Sequence, residues 1–222
     1  MNAMLHPVRQ HVERPERTLT LLMVAKLRTS GREGLCRIRN VSTGGLRLET
    51  RMALGCGDPV CVEVRGRREV RGSVAWARDG RAGVSFDSEV ALDALLAVAP
   101  QRPGRVLKAK IPRGPRLQVD CRVDVQLSSG RVEASLKDIS QGGVKLTMSL
   151  VLQRDERVLL MLPGLPMKLG IVRWADAEVG IAFAEPLSFD VLAEWLLIRE
   201  GPAMLSQQQP EKVYLSREEA AQ

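Results

Sequence analysis

The chain has 222 residues, 45% hydrophobic and 27% charged, which is enough for two domains of about 100 residues with a modest core each. A net charge of +7 suits an anionic partner, but charge alone reports only non-specific attraction, and with 3% aromatic residues a nucleic-acid-binding role is not expected. No apolar run approaches the roughly 18 residues of a spanning helix and the N-terminus lacks a signal-peptide apolar region, so membrane insertion is not expected and a cytoplasmic location is.

In chain order, residues 1–13 read as an arm carrying His6 and His11, the two histidines of the chain. Arg14-Pro15-Glu16-Arg17 follows, and then runs with period-two alternation, bounded by Gly, Ser, Asp or Asn, predict six strands: Thr18 to Arg28, Gly34 to Val41, Gly45 to Thr50, Val60 to Val64, Glu69 to Ala77 and Arg81 to Asp87. Arg65-Gly66-Arg67-Arg68 reads as a solvated hairpin tip. Val90 to Leu96 has helical spacing. Residues 99–104, with two prolines and a glycine, read as a linker between a first domain over 14–98 and a second over 105–200. The second begins with Arg113-Gly114-Pro115-Arg116 and predicts strands at Gln118 to Leu127, Val132 to Ile139, Gly143 to Met148, Arg157 to Leu162, Met167 to Ala175 and Val179 to Ala184, then a helix over Phe189 to Leu197. The tail, 201–222, is polar and expected to be mobile or to bind a partner. Cys36, Cys56, Cys61 and Cys121 lie among apolar residues without CxxC spacing, so buried reduced thiols are expected, and no metal site.

The two halves are copies. Asn40-Val41-Ser42-Thr43-Gly44-Gly45 is echoed by Asp138-Ile139-Ser140-Gln141-Gly142-Gly143 at an offset of 98, and Gly72-Ser73-Val74-Ala75-Trp76 by Gly170-Ile171-Val172-Arg173-Trp174. Gly83-Val84-Ser85-Phe86 pairs with Gly180-Ile181-Ala182-Phe183 at an offset of 97, so one residue is lost in the preceding polar turn. Six short strands per copy predict a mainly β fold of two tandem antiparallel six-stranded barrels, each followed by a helix. Trp76, Trp174, Phe86 and Phe183, at matched positions within strands, are expected in the cores.

The D/N-x-S-x-x-G motif, an Arg-bearing segment upstream, a G-x-V-x-W strand, a G-[VI]-x-F strand and a closing helix, all occurring twice, resemble the PilZ domain from about Arg14 to Leu197. The resemblance implies small barrels that bind cyclic di-GMP through an R-x-x-x-R motif and the D/N-x-S-x-x-G motif. The latter falls on Asn40, Ser42 and Gly45 in the first copy and on Asp138, Ser140 and Gly143 in the second. Arg14 with Arg17 and Arg113 with Arg116 hold the place of the first motif, each pair one residue closer than the family spacing. Arginine forks suit phosphate and the guanine O6/N7 edge, and Asp or Asn accepts from the guanine edge. Of the two copies the second is the expected binder, because it offers a carboxylate at 138 and a basic approach through Arg105, Lys108 and Lys110, whereas Glu13 and Glu16 flank the first copy's arginines.

The same Asn or Asp, Ser and Gly also make an ordinary side-chain-capped turn that needs no ligand. Two readings therefore stand: a cyclic di-GMP receptor that transmits binding as a change in domain arrangement or in partner binding, and a PilZ protein that binds no nucleotide and acts by docking to a protein. Neither is an enzyme, since no catalytic residue, cofactor, phosphate loop or histidine-based site is recognisable.

Overall fold

A computed structural model of the protein describes residues 19–64, 68–92, 95 and 114–205. Twelve strands lie among them: β1 Leu19–Thr29, β2 Arg32–Ser42, β3 Gly45–Thr50, β4 Pro59–Val64, β5 Arg68–Arg78 and β6 Arg81–Phe86, then β7 Leu117–Leu127, β8 Gly130–Ser140, β9 Gly143–Thr147, β10 Arg157–Met161, β11 Lys168–Ala175 and β12 Val179–Phe183. A helix, α1, spans Phe189–Leu205. It runs on where the sequence pattern had placed the start of a tail.

Each set of six strands closes on itself. The first barrel runs β1-β2-β3-β6-β5-β4 and the second β7-β8-β9-β12-β11-β10, the same order in both, with every pairing antiparallel. Closure leaves no edge strand. Two hairpins of the first barrel have two-residue turns whose central residues both take positive φ, Ser30-Gly31 (48° and 76°) and Asp79-Gly80 (50° and 70°). Such turns match the twist of the flanking strands, and glycine takes the second position without steric cost.

Alternation sets the interior of the barrels. Ala25, Leu27, Ile38, Leu48, Val62 and Val74 fill the first, and Val123, Val125, Leu136, Leu146, Leu160 and Val172 the second, all at most 2% exposed. A fully buried aliphatic side chain of this kind contributes about 1.5–3 kcal/mol. Leu92 and Leu95 are helical, and Leu95 seals the first core.

Helix α1 belongs to the second copy yet touches both barrels. Its Leu192, Trp195 and Leu196 join the second core, while Leu197 packs on the first. The indole of Trp195 donates to the carbonyl of Pro163 (2.8 Å). From the first barrel, Leu35 on β2 is counted into the second core, and the Arg37 guanidinium sits 4.1 Å over the Phe189 ring and reaches Asp190 (3.4 Å).

The cysteines differ from the sequence expectation. Cys36 is buried, but Cys61 and Cys121 are only partly so and Cys56 is exposed, because it falls in the loop before β4 rather than on an inward position. Burial pushes the Cys36 thiol up to about 12. Titration of the native protein with a disulfide reagent at mildly alkaline pH should therefore show Cys56 reacting first and Cys36 only on unfolding; a fast-reacting Cys36 would contradict the barrel interior described here.

Candidate functional site

Strict alternation along β2 would point Asn40 inward after Cys36 and Ile38. A bulge intervenes. The register of β2 against β3 shifts between Ile38 and Asn40, so Val41 becomes the next inward residue and Asn40 turns to the outside. On β5 the same device acts after Val70, Gly72 and Val74: the register against β6 shifts between Val74 and Trp76, and the indole is left outside, 37% exposed. The second barrel repeats both shifts, between Leu136 and Asp138 and between Val172 and Trp174. Bulges re-aim side chains in this way, and here they overturn the expectation that Trp76 and Trp174 are core residues. Phe183 is buried as expected, while Phe86 is partly buried against the first core.

The bulged residues come together as one row across four strands. Asn40 pairs with Arg47, Arg47 with Gly83, and Gly83 with Trp76. In the second barrel the row is Asp138, Lys145, Gly180 and Trp174. Each Trp lies flat over the glycine beside it: a Cβ on Gly83 or Gly180 would fall on the indole Nε1. The Arg47 guanidinium stands 5.6 Å from the centre of the Trp76 ring. Row and turn together line a groove of about 300 Å³ bounded by Asn40, Ser42, Gly44, Arg47, Trp76 and Ser85.

Ser42 and Ser140 do turn work. Each hydroxyl donates to the carbonyl of the glycine three residues on, Gly45 or Gly143, at 3.2 Å. The turns are tied down by matching backbone bonds, from Phe86 and Val90 to Gly44 and Thr43 in the first barrel and from Phe183 and Leu187 to Gly142 and Gln141 in the second. Gly45 and Gly143 are needed for a reason the motif did not reveal. A Cβ at either would run into the carbonyl oxygen of the neighbouring strand, that of Val84 or Ile181.

In the second barrel the row is closed by charge. Asp138, 5% exposed, accepts from Arg116 Nη1 at 2.5 Å and lies 3.7 Å from Lys145 Nζ, which itself sits 2.9 Å from Glu178. The hydrogen bond to Glu178 is the main reason that the Lys145 ammonium is held above its usual range, with Asp138 adding to it and Arg116 opposing. Of the sequence-predicted arginines Arg116 therefore reaches its motif, whereas Arg14, Arg17 and Arg113 lie outside the described residues. Sequence reasoning missed Arg47, Trp76, Lys145 and Trp174 as members of the rows, and Glu178 as the partner of Lys145. No group of three or more His, Cys, Asp or Glu among the described residues could hold a metal ion, and no described helix is long and apolar enough to cross a membrane.

Comparison with protein families matches the chain to the PilZ domain twice, over residues 8–97 and 110–196. Among solved structures it is similar to PlzA of Borreliella burgdorferi in complex with c-di-GMP (11% identity, 80% of this chain and 88% of that one, TM-score 0.32). It is also similar to the inhibitor of motility MotI/DgrA of Bacillus subtilis (15%, 86% and 100%, 0.32) and to the MrkH–c-di-GMP complex of K. pneumonia (15%, 84% and 90%, 0.31). A comparison with curated proteins returns no significant match.

The glycines separate a barrel role from a ligand role. Gly45→Ala and Gly143→Ala should each lower stability by about 1–3 kcal/mol, read by denaturant unfolding, because a backbone oxygen cannot swing away as a side chain would. Unchanged stability with altered ligand affinity would show that these glycines serve the ligand instead.

Proposed function

We propose, for a chain that belongs to the PilZ domain family through both of its barrels, that it is a receptor for cyclic di-GMP whose output is a change in barrel arrangement or in partner binding. The observation that carries this reading is the groove of the first barrel, where the row and its turn bring together an amide, a hydroxyl, a guanidinium and a partly exposed indole. Cyclic di-GMP has two phosphates and two guanines. Arg47 supplies a fork for a phosphate or a guanine edge, Asn40 supplies donor and acceptor for the edge, and the exposed part of the Trp76 indole stacks on a base. On the strength of the family motif Arg14 and Arg17 join this site, and Arg113 with Arg116 the corresponding one of the second copy. The strand that bears Asn40 also bears Leu35 and Arg37, which seat helix α1, so ligand on β2 bears directly on how the barrels meet.

The protein acts by binding rather than by catalysis, in the cytoplasm, where its cysteines stay reduced. A second reading, a docking module without nucleotide, is favoured by one observation: Asp138 already holds Arg116 and Lys145.

Calorimetric titration of cyclic di-GMP into the full chain should give a dissociation constant at or below about 1 µM, roughly −8 kcal/mol. Trp76→Ala should cost about 1–3 kcal/mol of that, the usual worth of one stacked base. No saturable heat in the wild-type chain would leave the docking reading in its place. Incubated with the purified protein, cyclic di-GMP should remain intact; hydrolysis that co-purifies with the chain and tracks its concentration would overturn the receptor reading.

A further inference from the structure

The two rows share a backbone but not their charges. Around the first, Arg39 on β2, Arg47 on β3, and Arg78 and Arg81 on the two sides of the β5–β6 hairpin face Glu49 and Asp79. Glu49 is spoken for by Arg39 (2.7 Å) and Arg81 (3.6 Å), and the Arg39 hydrogen bond holds its carboxyl below the usual range. Arg47 and Arg78 have no ion-pair partner among the described residues. The corresponding positions of the second barrel carry Lys137 and Lys145, while its β11–β12 hairpin carries Asp176 and Glu178 where the first has arginines. Lys137 reaches Asp120 (3.4 Å), which stands where the first barrel has Leu22. Lys145 is held between Glu178 and Asp138, and Arg116 caps Asp138 from the entering segment. Pro115, buried, and Gly114, beside the Gln141 amide, bring that segment across the β8–β9 turn.

We infer that anion binding is confined to the first barrel, and that in the second the chain Arg116–Asp138–Lys145–Glu178 stands where a ligand would, a site occupied by the protein's own charges. The inference rests on the receptor reading above and reverses the expectation that the carboxylate at 138 marks the binding copy. The physical reason is the sign of the local field. An anion entering the first groove meets Arg47 in its lining, with Arg39, Arg78 and Arg81 on the flanking strands and hairpin, against two carboxylates, one of them already paired twice. An anion approaching the second row meets Arg116, Lys137, Lys145 and Arg173 against Asp120, Asp138, Asp155, Asp176 and Glu178, and has to strip Arg116 or Lys145 from a nearly buried Asp138 before either cation is available. Fields of this kind act over about 8–10 Å at ordinary ionic strength, the scale of a single barrel face, so the two rows are read separately by a ligand. The hairpin at 78–81 in one copy and at 176–178 in the other is thus the element that sets which copy binds.

The test uses the uniformly 15N-labelled full chain, titrated with inorganic pyrophosphate and separately with cyclic di-GMP, and read by amide and indole resonances. Pyrophosphate should shift Gly44, Gly45, Arg47 and the Trp76 indole while leaving Gly142, Gly143, Lys145 and the Trp174 indole in place. In the Asp138→Asn/Glu178→Gln variant, whose spectrum reports whether it is folded, the second set should begin to respond, at an affinity raised at least about tenfold. Shifts of equal size in both barrels of the wild type, shifts in the second alone, shifts in neither, or a folded double variant whose second barrel stays silent would each overturn the inference. Pyrophosphate shifts in the first barrel with no response to cyclic di-GMP would leave the inference standing and sink the nucleotide-receptor reading instead.

Discussion

The arrangement rests on the conflict between a closed barrel and the pleat. Closure fixes every register, and the pleat then assigns each residue to the inside or the outside with no freedom to choose. A strand that must place a polar residue on the surface at an inward position has one economical remedy, an extra residue in a bulge. Here β2 and β5 each use it, as do β8 and β11, at matched places. Asn40 and Trp76 would otherwise lie in the apolar interior, the amide there without partners, and the groove would not exist. Gly83 completes the device, since the indole turned out by one bulge needs a bare strand to lie on.

Once the row is built, its chemistry is set by side chains that do not affect the fold. The two copies keep the same strand order and the same bulges while exchanging Asn40 for Asp138, Arg47 for Lys145 and a basic hairpin for an acidic one. A nearly buried carboxylate such as Asp138 is costly unless its lone pairs are met, and Arg116 and Lys145 meet them from within the chain. Asn40, neutral, carries no such demand. The same backbone therefore supports one row satisfied by its own ions and one that remains open on a groove.

Strand β2 links the groove to the contact between the copies. Its residues around 35–37 pack on helix α1, and its residues 40–42 form one wall of the groove. The Arg37–Asp190 pair is exposed enough to count for little by itself, at most about 1 kcal/mol. Leu35, buried among second-copy residues, is the firmer attachment. One strand thus bears on both the groove and the contact with α1.

Much of this was legible in the amino-acid sequence. The repeat, the twelve strands and the D/N-x-S-x-x-G turns all follow from local signals, because alternation, turn residues and self-similarity are properties of neighbouring residues. What sequence could not supply was the side of the sheet on which Trp76 and Trp174 lie: a bulge is invisible in an alternating string, and Val70, Gly72, Val74 and Trp76 read as one inward series. Nor could spacing show that Gly45 and Gly143 yield to a neighbouring strand's carbonyl rather than to a ligand, or that Glu178, some forty residues along, would hold the lysine beside Asp138. Those are facts about which strands become neighbours across a closed barrel. That neighbourhood, set by long-range pairing and not by local pattern, is what tertiary structure alone decided.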